Sequence, residues 1–124
     1  MTTLPRAQPP AFSIAVRHQD PVLTVVLTGN ADMRAREPLH ALLISLHEEA
    51  CRIAAKEVVI DFRGVDFMNS SCLKEFVAWL TQVQESGPER FYKICFLSAA
   101  VMSWQRRSLQ ALRWFAMDAI RIEA

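Results

Sequence analysis

The most informative stretch of the chain runs from Val58 to Leu80 and reads VVIDFRGVDFMNSSCLKEFVAWL. Its β-branched opening, Val58–Phe62, predicts a short buried strand. Residues Arg63–Met68 show no regular period and are predicted to form a loop. Asn69–Ser71 are typical of a helix N-cap, and an apolar stripe of helical period follows them. The stripe consists of Leu73, Phe76, Val77, Leu80 and Val83. The stretch therefore predicts a strand, a loop and a helix in that order.

The residues before this stretch predict a hairpin and a helix. Apolar residues alternate with others in Phe12–Val16 and again in Val22–Thr28, which indicates two antiparallel strands joined by a turn. A loop is predicted for Gly29–Glu37. From Pro38 onward apolar residues recur at steps of three and four, which predicts an amphipathic helix of about four turns. These apolar residues are Leu39, Leu42, Leu43, Leu46, Ala50 and Ile53.

The residues after the stretch predict a further helix between two strands. Ser86–Pro88 end the second helix, Phe91–Leu97 form a buried strand, and a third helix spans about Met102–Ala116. Ala119–Ile122 are predicted to add a short last strand. Strands that alternate with helices imply right-handed crossovers and parallel pairing, whereas the opening hairpin is antiparallel.

The predicted fold is α/β, with a mixed sheet of four or five strands and the helices mainly on one face. The strands that contain Val59 and Ile94 are expected to be parallel neighbours. A chain of 124 residues has the usual length of one domain. We expect a flexible lead at 1–11 and the domain at 12–124.

Charge and hydropathy exclude several classes of protein. The formal net charge is +1, which argues against a chain that binds nucleic acid or an anionic membrane mainly by charge. No apolar run approaches the ~18 residues of a membrane span, and the first residues lack the apolar core of a signal peptide. We therefore expect a cytoplasmic protein that binds neither nucleic acid nor membrane.

The cysteines and glycines argue against a metal or cofactor site. Cys51, Cys72 and Cys95 lie on separate predicted elements and form no metal-binding motif, so free thiols in a reducing compartment are expected. The chain has 3 glycines and no glycine-rich loop that could hold a nucleotide phosphate. The sequence predicts neither a metal nor a cofactor.

The strand, loop and helix of the first stretch resemble the STAS domain, the family of bacterial anti-sigma factor antagonists. In that family a strand ends in aspartate, and a loop leads to Asp-Ser-Ser-Gly-Leu at a helix start. Here Asp61 ends the strand and Asn69–Leu73 occupies the motif. The resemblance covers about residues 12–123. Two positions differ, because Asn69 replaces the aspartate and Cys72 replaces the glycine.

A serine at a helix start suits a phosphate switch. The unpaired backbone N–H groups and the positive end of the helix dipole stabilise a phosphate there. The phosphate adds a charge of roughly −1.5 to −2, which can release a docked partner. The resemblance implies that Ser70 is phosphorylated by a partner serine kinase of the histidine-kinase-like ATPase type, which is also the anti-sigma factor. It further implies a serine phosphatase as a second partner.

Other residues of the stretch are predicted to support this switch. Asp61 and Asp66 are expected to hold the loop, and Asn69, Ser71 and Cys72 to shape the cap. The outward side of the helix is the predicted docking surface for the partner. It comprises Lys74, Glu75, Ala78 and Trp79, with Trp79 at the border of the apolar stripe.

Three alternatives stay open on the sequence alone. Asn69–Ser71 can be a helix cap with no further role. The domain can be a STAS module or scaffold that binds a partner without phosphorylation, for example as an accessory of a transporter or signalling complex. Cys72 can be the reactive thiol of a small enzyme, because the helix dipole lowers a thiol pKa. The interpretation favoured here is a regulatory switch protein and not an enzyme.

The third helix carries a polar stripe that this interpretation leaves unused. Arg106, Gln110 and Arg113 recur on one side of the helix, and Trp114 lies near Arg107 between this stripe and the apolar face. A solvated face is the default expectation for such a stripe.

Overall fold

Five strands form one sheet in the computed structural model, which describes residues 12–85, 92–114 and 120–123. The strands are β1 (Ser13–Gln19), β2 (Val22–Ala31), β3 (Glu57–Met68), β4 (Lys93–Leu97) and β5 (Ile120–Glu123). The helices are α1 (Arg36–Arg52), α2 (Ser70–Glu85) and α3 (Ser103–Arg113), and a 3-10 turn (Met33–Ala35) precedes α1. The predicted lead at 1–11, the helix stop at Ser86–Pro88 and the predicted end of α3 at 115–116 lie outside the described residues.

The order of the strands in the sheet follows their order in the chain, β1-β2-β3-β4-β5. β1 and β2 are antiparallel, and every later pair is parallel. Val58 pairs with Ile94 and Val59 with Cys95, which confirms that these two strands are parallel neighbours. The predicted α/β fold with a mixed sheet and an N-terminal hairpin is confirmed.

One face of the sheet carries the helices. Along β2, Leu23, Val25 and Leu27 are buried, while the residues between them are half-buried. The Phe76 ring of α2 lies 5.2 Å from the Phe62 ring and 6.2 Å from the Phe96 ring, measured between centroids. Apolar residues of α1 and α3 join the same buried cluster. The helices therefore cover the face to which these side chains belong, as predicted.

β3 is longer than the sequence predicts. Residues Arg63–Met68, predicted as a loop, continue the strand and pair with the end of β2, where Gly64 lies opposite Thr28 and Met68 opposite Ala31. Two register shifts interrupt this pairing, one between Val26 and Thr28 and one after Gly29. Irregularities of this kind break the two-residue alternation from which a strand is recognised. The loop prediction is therefore wrong for this segment, and β2 likewise extends into the predicted Gly29–Glu37 loop.

Gly64 lies where a side chain on β3 would meet β2. A Cβ atom at this position would be 2.7 Å from Cγ2 of Thr28 and 3.4 Å from the Leu27 carbonyl oxygen. The Thr28 hydroxyl is also hydrogen-bonded to the Ser13 hydroxyl of β1. Glycine at 64 therefore allows β3 to stay paired with β2 through the irregular segment.

α1 begins at Arg36, two residues before the predicted start, and ends in a Schellman motif. The Ala55 N–H donates to the Ala50 carbonyl at 2.9 Å, and the Ala54 N–H donates to the Cys51 carbonyl at 3.2 Å. Ala54 has φ 52°, the left-handed conformation that glycine usually supplies at this position.

Replacing Ala54 with glycine is expected to stabilise the protein. The left-handed conformation costs a residue with a Cβ about 1–2 kcal/mol, and the extra backbone entropy of glycine offsets part of this gain. We expect Ala54→Gly to raise the free energy of unfolding by about 1 kcal/mol, as measured by urea titration. Ala41→Gly, at an exposed position inside α1, is the matched control and should lower it by about 1 kcal/mol. Destabilisation by both substitutions would contradict this account.

Candidate functional site at the start of helix α2

Asn69 caps α2 and ties it to the end of β2. Its Oδ1 accepts a hydrogen bond from the Cys72 N–H at 2.9 Å, the bond expected of an N-cap residue. Its own backbone N–H donates to the Ala31 carbonyl at 2.9 Å. The predicted cap is therefore made by Asn69. This arrangement fixes the place of the next residue, Ser70, at the edge of the sheet where β2 and β3 end.

Ser70 is the first residue of α2 and is exposed, whereas Ser71 is half-buried. The Ser70 hydroxyl is thus at the positive end of the helix dipole and open to an approaching protein. The two serines therefore differ in accessibility, and Ser70 is the more exposed of the two.

Cys72 is buried, and its surroundings disfavour the thiolate form. Its thiol donates to the Asp32 carbonyl at 3.4 Å, and its exposed fraction is 0%. Burial raises the pKa of the Cys72 thiol, and the charges of Asp32 and Glu75 act in the same direction against that of Arg36. Burial therefore opposes the helix-dipole effect on which the alternative of a reactive Cys72 depends. The thiolate that a Cys72 enzyme needs is disfavoured.

Asp61 is a buried carboxylate that holds Arg63. Its Oδ1 accepts the Arg63 backbone N–H at 2.9 Å, and both carboxylate oxygens accept guanidinium N–H groups at 3.0 and 2.9 Å. Hydrogen bonds from the Arg63 side chain hold the pKa of Asp61 below its usual value, against the effect of burial. Asp61 therefore supports the irregular part of β3. It alternates with Ile60 and Phe62 and so lies on the sheet face opposite the helices.

Asp66 plays a smaller part than the sequence predicts. It is exposed and forms no hydrogen bond or ion pair with the residues that the structure describes. Strand pairing and Asp61 hold this segment instead.

The predicted docking surface on α2 is only partly exposed. Lys74 and Ala78 are exposed, one and two turns beyond Ser70. Glu75 is half-buried and is already bound by α1, because its carboxylate lies 3.0 Å from Arg36 Nη1 and 2.6 Å from His40 Nδ1. This pairing joins the two helices beside the site, so Glu75 fixes the position of α2 as well as lining the surface.

Trp79 does not belong to the docking surface, so the sequence prediction is wrong for this residue. Its exposed fraction is 2%, and its indole N–H donates to the Tyr92 hydroxyl at 3.1 Å. The Tyr92 hydroxyl is also hydrogen-bonded to Nδ1 of His47 at 2.8 Å. The prediction failed because Trp79 lies at the border of the apolar stripe, where a helical wheel cannot show that α1 and the residue before β4 cover it.

Exposed apolar side chains near Ser70 were missed by the sequence prediction. Met33 is 61% exposed and Phe67 is 50% exposed, and both lie where parallel strands β2 and β3 end. Asn30 pairs with Phe67, which brings the end of β2 beside that ring. Both residues lie in segments predicted as loops, and large apolar residues in a predicted loop are the signal that could have found them.

Gln105 of α3 holds the irregular part of β3 from the helix side. Its Nε2 donates to the Phe62 and Val65 carbonyls, both at 2.8 Å, and its Oε1 accepts the Ala99 N–H at 2.8 Å. Its exposed fraction is 0%. Nothing in the sequence distinguishes this glutamine from the polar residues beside it, since its role depends on distant backbone groups.

The family model described as "Mlab, STAS domain" matches residues 14–89, more than half of the chain. The chain belongs to the STAS domain family. The matched range includes the hairpin, α1, β3 and α2, and therefore the whole surface around Ser70. Comparison with curated proteins finds no significant match.

Several solved structures have the same STAS fold. An anti-sigma factor antagonist from Mycobacterium paratuberculosis is 18% identical with a TM-score of 0.66, and the alignment covers 91% of this chain and 86% of that one. The anti-sigma factor antagonist SpoIIAA in its unphosphorylated form is 17% identical with a TM-score of 0.58, covering 81% and 82%. The Bacillus cell fate determinant SpoIIAA in the phosphorylated form is 15% identical with a TM-score of 0.62, covering 92% of each chain. These TM-scores, at identities of 15–18%, show a shared fold.

Two further features concern the cysteines and the apolar character of the helices. Cys51, Cys72 and Cys95 lie on α1, α2 and β4 and are unpaired, as expected. Within the described ranges, no helix is both long and apolar enough to cross a membrane.

Proposed function

We propose that this STAS domain is an anti-sigma factor antagonist that binds its partner through the surface around Ser70 and is released when Ser70 is phosphorylated. The observation that carries the proposal is the exposed Ser70 at the capped start of α2. The fold is shared with two proteins named as anti-sigma factor antagonists, one of which is known in a phosphorylated form.

The chemistry of the surface favours a switch that acts by charge. Met33 and Phe67 supply exposed apolar area beside Ser70, and Lys74 and Ala78 continue the surface along α2. A partner that covers these apolar groups also removes water from Ser70. A phosphate introduced into such an interface loses its hydration, and this cost opposes binding.

The proposed partner is a serine kinase of the histidine-kinase-like ATPase type that is also the anti-sigma factor, and a serine phosphatase restores the unmodified form. The proposed domain spans 12–124, acts in the cytoplasm, and binds its partner rather than catalysing a reaction. The raised pKa of the buried Cys72 thiol supports a binding role over thiol catalysis.

A second candidate function is a STAS module that binds its partner without phosphorylation, for example within a transporter complex. One observation favours it: Asn69 and Cys72 replace the aspartate and glycine of the motif typical of the antagonists. Asn69 still caps the helix, so the substitution changes the charge beside Ser70 without changing the fold.

Phosphopeptide mapping and binding measurements with a serine kinase of the proposed ATPase type test the proposal. We expect modification at Ser70 alone, with none in Ser70→Ala and normal modification in Ser71→Ala. Ser70→Asp is expected to weaken binding by about 2 kcal/mol, roughly thirtyfold, whereas Ser70→Ala should bind like the wild-type protein.

Two outcomes would contradict the switch. If Ser70→Asp binds as tightly as the wild-type protein, Ser70 is only part of the helix start. If the partner binds at the Ser70 surface but transfers no phosphate, the module without phosphorylation is the function. In either case Phe67→Ala should still weaken binding, because its ring is exposed on the same surface.

A further inference from the structure

The outward side of α3 carries three arginines without ion-pair partners. Arg106, Arg107 and Arg113 are exposed, and their guanidinium groups form no hydrogen bond or salt bridge with the described part of the chain. Five other arginines are each paired with a carboxylate, namely Arg34, Arg36, Arg52, Arg63 and Arg121. The sequence from Ala99 to Met117 contains no aspartate or glutamate. Within 12–85, 92–114 and 120–123, no carboxylate compensates the positive charge on α3.

A tryptophan lies at the end of this side of the helix. Trp114 directly follows α3 and is 76% exposed. Arg106 and Arg113 are seven residues apart, which places them two turns apart on one side, about 10 Å along the axis. Arg107 and Trp114 have the same separation on the neighbouring stripe. We call these four residues the α3 arginine face.

We propose that the α3 arginine face docks an acidic segment of a partner protein. Guanidinium groups bind carboxylates with two parallel hydrogen bonds, and exposed tryptophan supplies apolar contact area. Arginine and tryptophan are also the residues that most often dominate binding energy at protein interfaces. Carboxylates about 10 Å apart, with an apolar residue near one of them, would match Arg106, Arg113 and Trp114.

An acidic protein segment fits this face better than a membrane does. Interfacial helices bury an apolar side in the lipid, whereas the apolar side of α3 is already buried in the domain through Leu109 and Leu112. Among the described residues of α3 and its two caps, Trp114 is the one large apolar side chain that stays exposed. The formal net charge of the whole chain, +1, gives little long-range attraction to nucleic acid or lipid.

The α3 arginine face lies on a different helix from the surface proposed around Ser70. α3 connects the parallel strands β4 and β5, so it runs from the edge where these strands end back to the edge where they begin. Trp114 therefore lies at the end of the helix away from Ser70. This inference goes beyond the switch and does not depend on it.

Fluorescence anisotropy with a labelled peptide tests the proposal. The probe is an alanine-based helical peptide that carries glutamates two turns apart and a leucine beside one of them, and a version with glutamine for glutamate is its control. The full chain is expected to bind the glutamate peptide and not the glutamine peptide. The double variant R106Q/R113Q should weaken binding by about tenfold, and W114A should also weaken it. R17Q/K93Q removes the same charge from exposed strand positions and should bind within about twofold of the wild-type protein.

The same proteins are then mixed with vesicles of phosphatidylglycerol and phosphatidylcholine in equal amounts. We expect no sedimentation of the protein with these vesicles at physiological salt. Two results would overturn the proposal. The first is no binding of the glutamate peptide, and vesicle binding that R106Q/R113Q abolishes would then identify a membrane as the ligand. The second is equal weakening of peptide binding by R106Q/R113Q and R17Q/K93Q. Circular dichroism of each variant checks that the fold is kept.

Discussion

Replacing Trp79 with alanine is expected to lower the free energy of unfolding by about 3–5 kcal/mol, a large part of the stability of a small domain. The indole is buried, its ring centroid lies 6.3 Å from those of Phe76 and Tyr92, and its N–H donates to the Tyr92 hydroxyl. Truncation leaves a cavity between α2 and Tyr92 and removes that hydrogen bond. Urea denaturation of the wild-type and variant proteins measures the effect.

Two further variants show how much of this loss comes from packing and how much from the hydrogen bond, and whether losing any tryptophan has the same effect. Trp79→Phe keeps a ring but loses the N–H donor, so we expect a smaller loss of about 2 kcal/mol. Trp114→Ala removes a tryptophan that is 76% exposed and should change stability by no more than about 0.5 kcal/mol. If Trp79→Ala were as stable as Trp114→Ala, the buried position of Trp79 would be wrong. The sequence-based prediction that Trp79 lines the docking surface would then be restored.

Gln105→Leu is expected to cost about 3 kcal/mol or more, although leucine is similar in size and apolar. The substitution removes three hydrogen bonds of 2.8 Å, to the Ala99 N–H and to the Phe62 and Val65 carbonyls. Each buried backbone group left without its partner costs about 1–3 kcal/mol, and the carbonyls can keep part of their bonding elsewhere. Thermal and urea unfolding measure the loss.

Gln110→Leu, on the exposed side of the same helix, is the matched control for this prediction. It should change the free energy of unfolding by no more than about 0.5 kcal/mol, because its side chain is exposed. A Gln105→Leu protein as stable as Gln110→Leu would show that the β3 carbonyls do not depend on the glutamine. The Gln105→Leu substitution should also increase hydrogen exchange of the Gly64 amide, because Gly64 lies between the two carbonyls that lose their donor.

The elements of the fold that could be predicted are those with an unbroken period. The hairpin, α1, α2 and β4 each show regular alternation or a helical stripe, and their order implies parallel pairing. The segment Arg63–Met68 could not be predicted, because two register shifts break its alternation and its pairing partner lies more than thirty residues away in the chain. A strand held by pairing with a distant strand leaves little local signal.

At the candidate site, local contacts could be predicted and distant ones could not. The cap by Asn69 depends on residues three positions apart, so the sequence shows it. The burial of Trp79 depends on Tyr92, and the pairing of Glu75 depends on Arg36 and His40. Each of these partners comes from another element, and only the packed structure brings them together.

The close contact between Gly64 and Thr28 makes the two positions interdependent during evolution and design. A methyl group at 64 needs the space that Cγ2 of Thr28 occupies, and the hydrogen bond to Ser13 restrains that side chain from turning away. Alanine at 64 is therefore acceptable only together with a smaller residue such as serine or glycine at 28. A library that varies one position at a time would reject alanine at 64, whereas one that varies the two positions as a pair would recover it together with the smaller residue at 28.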